Sequence, residues 1–220
     1  MIEAVIFDLD GVIIESEPLW KETEKKVFAG VGLTLTTDMC RRTIGLDTYD
    51  TIKFWYSEMP WEGKDFTRLY QEIIETMRLT MKEKVQLKEG FLETLRMFKH
   101  KSLPVAVATS SPPVLIETAL NKFGILDEFD ILNSSVKEEY GKPHPGVYLT
   151  TARRLGKDPR SCLAFEDSFN GAIAAKAARM KVVTIPDPSD FNDRRFDFSD
   201  LKLTSLLDFT EEEFNRLNKQ

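Results

Sequence analysis

The chain has 220 residues, 42% of them hydrophobic, and a formal charge of −6 from 30 basic and 36 acidic side chains. That is enough apolar material for one substantial core, or for a core with a smaller insert, and the basic residues are scattered rather than striped, so nucleic acid is not an expected partner. No run approaches the ~18 apolar residues of a membrane span, no basic residue precedes the first apolar segment, and Cys40 and Cys162 stand far apart. The expectation is therefore a soluble, cytoplasmic protein with no membrane partner, two buried thiols, no zinc site and no disulfide framework.

The first element is "VIFDLDGVI", Val5 to Ile13, in which an apolar run starting at Ala4 and ending at Phe7 delivers two acids, Asp8 and Asp10, one residue apart. From about Ser16 to Glu89 no comparable strand appears. The spacing there predicts helices, for example Glu17 to Ala29 and Phe66 to Lys84, and all three tryptophans, Trp20, Trp55 and Trp61, fall inside this stretch. From about Gly90 a different rhythm begins. Short β-rich runs at Val105–Ala108, Ile131–Leu132, Cys162–Phe165 and Val182–Ile185 alternate with helical segments at Pro113–Phe123, Pro145–Leu155 and Ser168–Arg179. Gly124 and Gly156 follow the first two helices, as helix C-termini prefer. Strand–helix alternation with nearly continuous apolar strands predicts an α/β fold, a Rossmann-like parallel sheet covered on both faces. The expected division is a core of residues 1–15 and 90–220 with an all-helical cap of residues 16–89 inserted after the first strand.

In an open parallel sheet, ligands bind beyond the C-terminal strand ends. The residues there are Asp8 and Asp10, then Thr109, Ser110 and Ser111, then Glu166 and Asp167, with Gly141-Lys142-Pro143 in a loop before another helix. Taken singly, each has a plain structural reading: D-x-D as a turn or cap, Thr109–Ser111 and Glu166–Ser168 as helix starts, Lys142 as an exposed loop lysine. Together they form a chemical set. Clustered carboxylates suit a hard divalent cation such as Mg²⁺, and without positive charge they repel a phosphate dianion, since two like charges ~4 Å apart cost about 4 kcal/mol at an effective dielectric of 20. Mg²⁺ and Lys142 would supply it. Asp8 can then serve as a nucleophile that forms an aspartyl-phosphate. Asp10, on the same side of an extended chain two residues on, can act as its acid–base partner.

The ordered motifs D-L-D-G-V (Asp8–Val12), T-S (Thr109–Ser110), G-K-P (Gly141–Pro143) and E-D-S-x-x-G (Glu166–Gly171) resemble those of the haloacid-dehalogenase-type phosphohydrolases. The resemblance covers essentially the entire chain. It implies phosphorylation of Asp8, acid–base work by Asp10, phosphate binding by the Thr109 hydroxyl and the Ser110 backbone N–H, and a bridging role for Lys142. It also implies Mg²⁺ held by Asp8, the Asp10 carbonyl and Asp167, with Glu166 contacting water on the metal. "DTYDTIKFWYSEMPW", "KPHPGVYL", "AKAARM" and "PDPSDFNDRRF" are similar to the sugar phosphatase branch that acts on 2-deoxyglucose 6-phosphate and hexitol phosphates. The implied function is Mg²⁺-dependent hydrolysis of small sugar or polyol phosphates by a monomer or weak homodimer.

The main alternative is a phosphomutase of the β-phosphoglucomutase type, but that resemblance places a histidine where this chain has Trp20. His100 and His144, the two histidines present, are expected in structural or surface roles. A phospho-Asp signalling module is a further alternative, and a dehalogenase would need neither Asp10 nor metal. On the cap, Trp20, Arg42, Trp55 and Tyr56 are candidate sugar contacts. The plainer expectation for the aromatics is the cap's own core, and for Arg42 a surface charge.

Overall fold

The computed structural model describes residues 1–43 and 46–219. Residues 44, 45 and 220, which the expected cap and core ranges include, lie outside them. Strand β1 (Ala4–Phe7) is apolar at every position and buried on both faces. It pairs in parallel with β4 (Val105–Thr109) on one side and β6 (Cys162–Glu166) on the other, with Val5 opposite both Val105 and Leu163. Adding β5 (Ile131–Ser134), β7 (Lys181–Thr184) and β8 (Leu201–Lys202) gives a six-stranded parallel sheet in the order β5-β4-β1-β6-β7-β8. The chain builds outward from β1 in one direction to β5, then returns to the other side with β6. This reversal beside β1 opens the crevice at which such sheets bind ligands, and it puts Asp8 at its floor.

Alternation along each strand sorts side chains to two faces. Val5, Phe7, Val107 and Phe165 join a large core with α5 (Phe91–His100), α6 (Pro113–Lys122) and α9 (Glu211–Lys219). There Phe7 stacks on Phe165 with centroids 4.8 Å apart. Ala4, Ile6, Ala106, Ala108 and Ala164 face the other way, against α7 (Gly146–Leu155) and α8 (Phe169–Ala177). The run of alanines lets those two helices lie close to the strands.

Between β1 and β4 the chain forms α1 (Glu17–Ala29), α2 (Thr37–Arg41), α3 (Thr48–Glu58) and α4 (Phe66–Lys84). Side-chain caps set three of the starts: Thr36, Asp47 and Asp65 each accept from a backbone N–H in the first turn of the helix that follows. These helices enclose their own apolar cluster of Phe28, Leu35, Ile52, Trp55, Trp61 and Leu69. The segment is entered and left through a two-stranded antiparallel ribbon, β2 (Ile14–Glu15) and β3 (Gln86–Leu87), with Ile14 opposite Leu87. A strand two residues long carries no periodic signature, which is why β3 and β8 are not evident in the sequence. Helix α4 spans both units: Leu69 and Ile73 belong to the helical cluster, while Ile74, Met77 and Met81 belong to the sheet core.

Candidate active site

Beyond the C-terminal strand ends lies a cavity of about 160 Å³, walled by the sheet on one side and by α1–α3 on the other. The sheet side presents Asp8, Asp10, Thr109, Ser110, Lys142 and Asp167, so six of the seven expected site residues line one chamber. The seventh, Glu166, is fully buried directly behind them.

Lys142 organises the centre. Its ammonium donates to Asp8 Oδ1 at 2.7 Å, Glu166 Oε1 at 2.5 Å and the Ala108 carbonyl at 3.0 Å. The loop reading of Lys142 is right for the backbone, but the side chain is only 5% exposed. Burial works against the lysine charge, yet Asp8 and Glu166 outweigh it and hold the ammonium well above the usual lysine range. Tyr148, one turn into α7, donates to Glu166 Oε1 at 2.5 Å. Burial and the nearby carboxylates push its phenol well above the ordinary tyrosine value, so it stays a donor.

Two glycines make room for the acids. Gly11 adopts φ +75°, and a Cβ there would sit 1.9 Å from Asp167 Oδ2; at Gly171 it would sit 2.0 Å from Glu166 Oε1. The glycines of D-L-D-G and E-D-S-x-x-G are therefore spaces into which carboxylates fit.

Asp10 is held apart from the lysine. Ser111 Oγ donates to its Oδ2 at 2.6 Å, and Trp20 Nε1 at 3.0 Å and Ser16 Oγ both donate to its Oδ1. Trp20 thus does something the sequence did not suggest. It packs against both apolar clusters and reaches from α1 to the acid–base candidate. The other cap candidates do not enter the chamber: Trp55 is fully buried, Tyr56 packs on Trp61, and Arg42 pairs with Glu58 at 3.0 Å and lies over Phe54. His100 and His144 are exposed. Ser16 and Tyr148 were missed by motif reading, and Ser111, singled out beyond β4, was given no role of its own. Ser16 and Ser111 adjoin motifs, but nothing local marks Tyr148, because its importance depends on where α7 packs.

Carboxylate oxygens of Asp8, Glu166 and Asp167 lie within 4.8 Å of one another. Burial, reinforced by repulsion from Glu166 and Asp10, raises Asp8 to about 7 despite Lys142. Asp167 is raised well above the carboxylate range by burial, Asp8 and Glu166. One ammonium does not balance this many acids, and an all-oxygen donor set of this charge fits a hard divalent cation. Farther along the cavity, burial raises Glu24 to about 7, and its Oε2 has no hydrogen-bond partner. Cys40 also lines this end of the cavity, and its thiol is pushed up to about 11 by burial and by the neighbouring Glu24. Cys40 and Cys162 are both buried and unpaired with each other.

A Rossmann-like sheet that gathers acids and a lysine at its switch point, beneath an inserted helical segment, defines a class of hydrolases. The chain belongs to that class by descent as well: residues 2–179 match the haloacid dehalogenase-like hydrolase family, and the protein is a member of it. Hexitol phosphatase B of Escherichia coli (strain K12) is 41% identical over 214 residues, covering 95% of each chain. A phosphorylated carbohydrates phosphatase of Thermotoga maritima is 32% identical over 178 residues, with 80% of this chain and 82% of the relative covered. In fold, the chain is similar to the crystal structure of CbbY from Rhodobacter sphaeroides in complex with phosphate (TM-score 0.88, 24% identity, 94% and 96% coverage). It is also similar to β-phosphoglucomutase from Clostridium difficile (TM-score 0.85, 22% identity, both chains fully covered). Among the described residues no helix is long and apolar enough to cross a membrane.

Proposed function

We propose that the chain is a cytoplasmic, Mg²⁺-dependent phosphatase for small sugar or sugar-alcohol phosphates, with residues 16–89 acting as a cap over a catalytic core of residues 1–15 and 90–220. The observation that carries this reading is the Asp8 carboxylate, fixed on Lys142 at the floor of the cavity with Asp10 beside it in a cage of three donors. The substrate class follows the phosphatase relatives.

In the first step, an Asp8 oxygen attacks phosphorus and the bond from phosphorus to the ester oxygen breaks. Asp10 gives its proton to the departing alcohol. In the second step, Asp10 takes a proton from water as that water attacks the phosphoryl group, releasing phosphate and restoring Asp8. The Thr109 hydroxyl and the Ser110 backbone N–H would hold the phosphoryl oxygens, and Lys142 would neutralise them. Asp8, Asp167 and the Asp10 carbonyl would hold Mg²⁺, backed by Glu166, and the bound ion supplies the positive charge that brings a phosphate dianion against these acids.

The mutase alternative meets a chemical obstacle. An indole N–H only donates, so Trp20 orients Asp10 but does not exchange a proton as an imidazole does.

A screen of phosphorylated metabolites for phosphate release tests the proposal. Hydrolysis of hexitol or hexose phosphates is expected, and isomerisation of β-glucose 1-phosphate without phosphate release would overturn it. Chelation with EDTA is expected to lower turnover by at least about 10³-fold, with recovery on adding Mg²⁺. Activity that survives chelation rejects the metal assignment.

A further inference from the structure

Helix α1 carries more than Trp20 to the cavity. Glu24 lies four residues on, about 6 Å farther along the same helix face, and lines the chamber with Cys40, Thr43, Thr48 and Thr51. One of its oxygens is closed off from solvent with no partner. Its neighbours do not neutralise it: Cys40 offers only a weak thiol donor, and the Lys21 ammonium is bound to Glu17. A buried carboxylate without its hydrogen bonds costs stability, and nothing in the mechanism above uses this one.

We propose that Glu24 is a specificity-determining residue: its carboxylate accepts a hydrogen bond from a hydroxyl on the uncharged, hydroxylated tail of the substrate, at the end remote from the phosphate. This rests on the phosphatase reading and adds a substrate class to it. The phosphoryl group sits between Asp8, Thr109 and Lys142, so the rest of the molecule extends along α1 toward Glu24. The terminal torsion of a glutamate is soft, and a small rotation turns the unpartnered oxygen to a ligand. The threonine hydroxyls alongside can donate or accept, as a polyol requires. An anionic tail would meet both Glu24 and Asp47, and the described lining offers it no cation besides Lys21 and Lys142, each already paired. The same wall therefore selects for hydroxyls and against a second phosphate or a carboxylate.

The test compares wild type, Glu24→Gln and Glu24→Leu on hexitol 6-phosphate, on 6-phosphogluconate, which carries a carboxylate at the remote end, and on phenyl phosphate, which has no tail hydroxyl. In Glu24→Leu the ratio of kcat/KM for hexitol 6-phosphate to that for phenyl phosphate is expected to fall roughly ten- to a hundredfold, the range for a hydrogen bond to a charged group, mainly through KM. Glu24→Gln, which keeps an acceptor, should fall less and should narrow the preference for the hexitol ester over 6-phosphogluconate. Ratios unchanged in both variants, with an active wild type, overturn the assignment of Glu24 alone. A wild type inactive on all three esters overturns the phosphatase reading and this inference with it.

Discussion

Asp8→Asn is expected to abolish turnover, lowering kcat by roughly 10⁴-fold or more, while the protein stays folded and, with divalent cations chelated, melts at or above the wild-type temperature. The activity loss follows because an amide oxygen is not a competent nucleophile. The stability result follows from electrostatics. Burial and the neighbouring acids raise the Asp8 carboxyl to about 7, whereas in the unfolded chain it titrates near its ordinary value of about 4. Between those values the native state keeps a proton that the unfolded state has released, so wild-type stability falls as pH rises through the window and levels off above it. The amide has no proton to lose. Melting temperatures of variant and wild type should therefore converge near pH 4 and separate toward pH 7, the variant higher. Normal turnover in Asp8→Asn would refute the nucleophile, and a melting gap of opposite sign would refute the electrostatic account of the site.

Lys142→Met is expected to have the opposite effect on stability. The ammonium is a buried counter-charge to two buried carboxylates, and removing one partner of such a group leaves charge uncompensated at a cost of about 3–5 kcal/mol. In a chain of this size that lowers Tm on the order of 10 °C. Turnover should fall by about 10²- to 10³-fold, the usual loss when a group that neutralises developing charge is removed. The stability deficit should be largest above pH 7 and shrink on acidification, as Asp8 takes up its proton and no longer needs a cation. Millimolar Mg²⁺ should recover part of the loss, because an ion that binds only the folded state stabilises it. Differential scanning calorimetry across pH, with and without Mg²⁺, reads each of these. A variant as stable as wild type at pH 8 would show that Lys142 does not serve as the counter-charge.

The two variants share a perturbed cluster but are expected to move stability in opposite directions, an asymmetry that belongs to an active centre rather than a structural ion pair. An ion pair built for stability would weaken when either partner is removed. Here the acids outnumber the base, so removing an acid relieves the site and removing the base strains it further.

Much of this was legible in the residues. Parallel strands buried on both faces show as short apolar runs, and the chemistry of an open sheet stands at their ends; hence Asp8, Thr109, Glu166 and Asp167 were found by reading one or two positions past each run. The glycines next to them were legible as motif letters but not as spaces, since only the fold reveals that Asp167 occupies the place of a Gly11 side chain. Lys142 looked like an ordinary loop lysine by itself, because its burial depends on β4 and β6 closing around it. Tyr148 and Glu24 were opaque for a related reason, and so was the bond from Trp20 to Asp10, although Trp20 itself stood out as a cap candidate. Each acts across an interface between separate elements, and a helical face that points at a cavity has the same periodicity as one that points at a core. The two-residue strands β3 and β8 were too short to show any pattern.

The most direct test of the account is to mix the enzyme with a sugar phosphate carrying radiolabelled phosphorus, quench in acid within milliseconds, digest, and locate the label. The account predicts an acid-stable, hydroxylamine-labile phosphoryl group on Asp8 of the wild type, formed at best slowly in Asp10→Asn and absent from Asp8→Asn. Label on any other side chain, or burst-free hydrolysis with none on the protein, would contradict it.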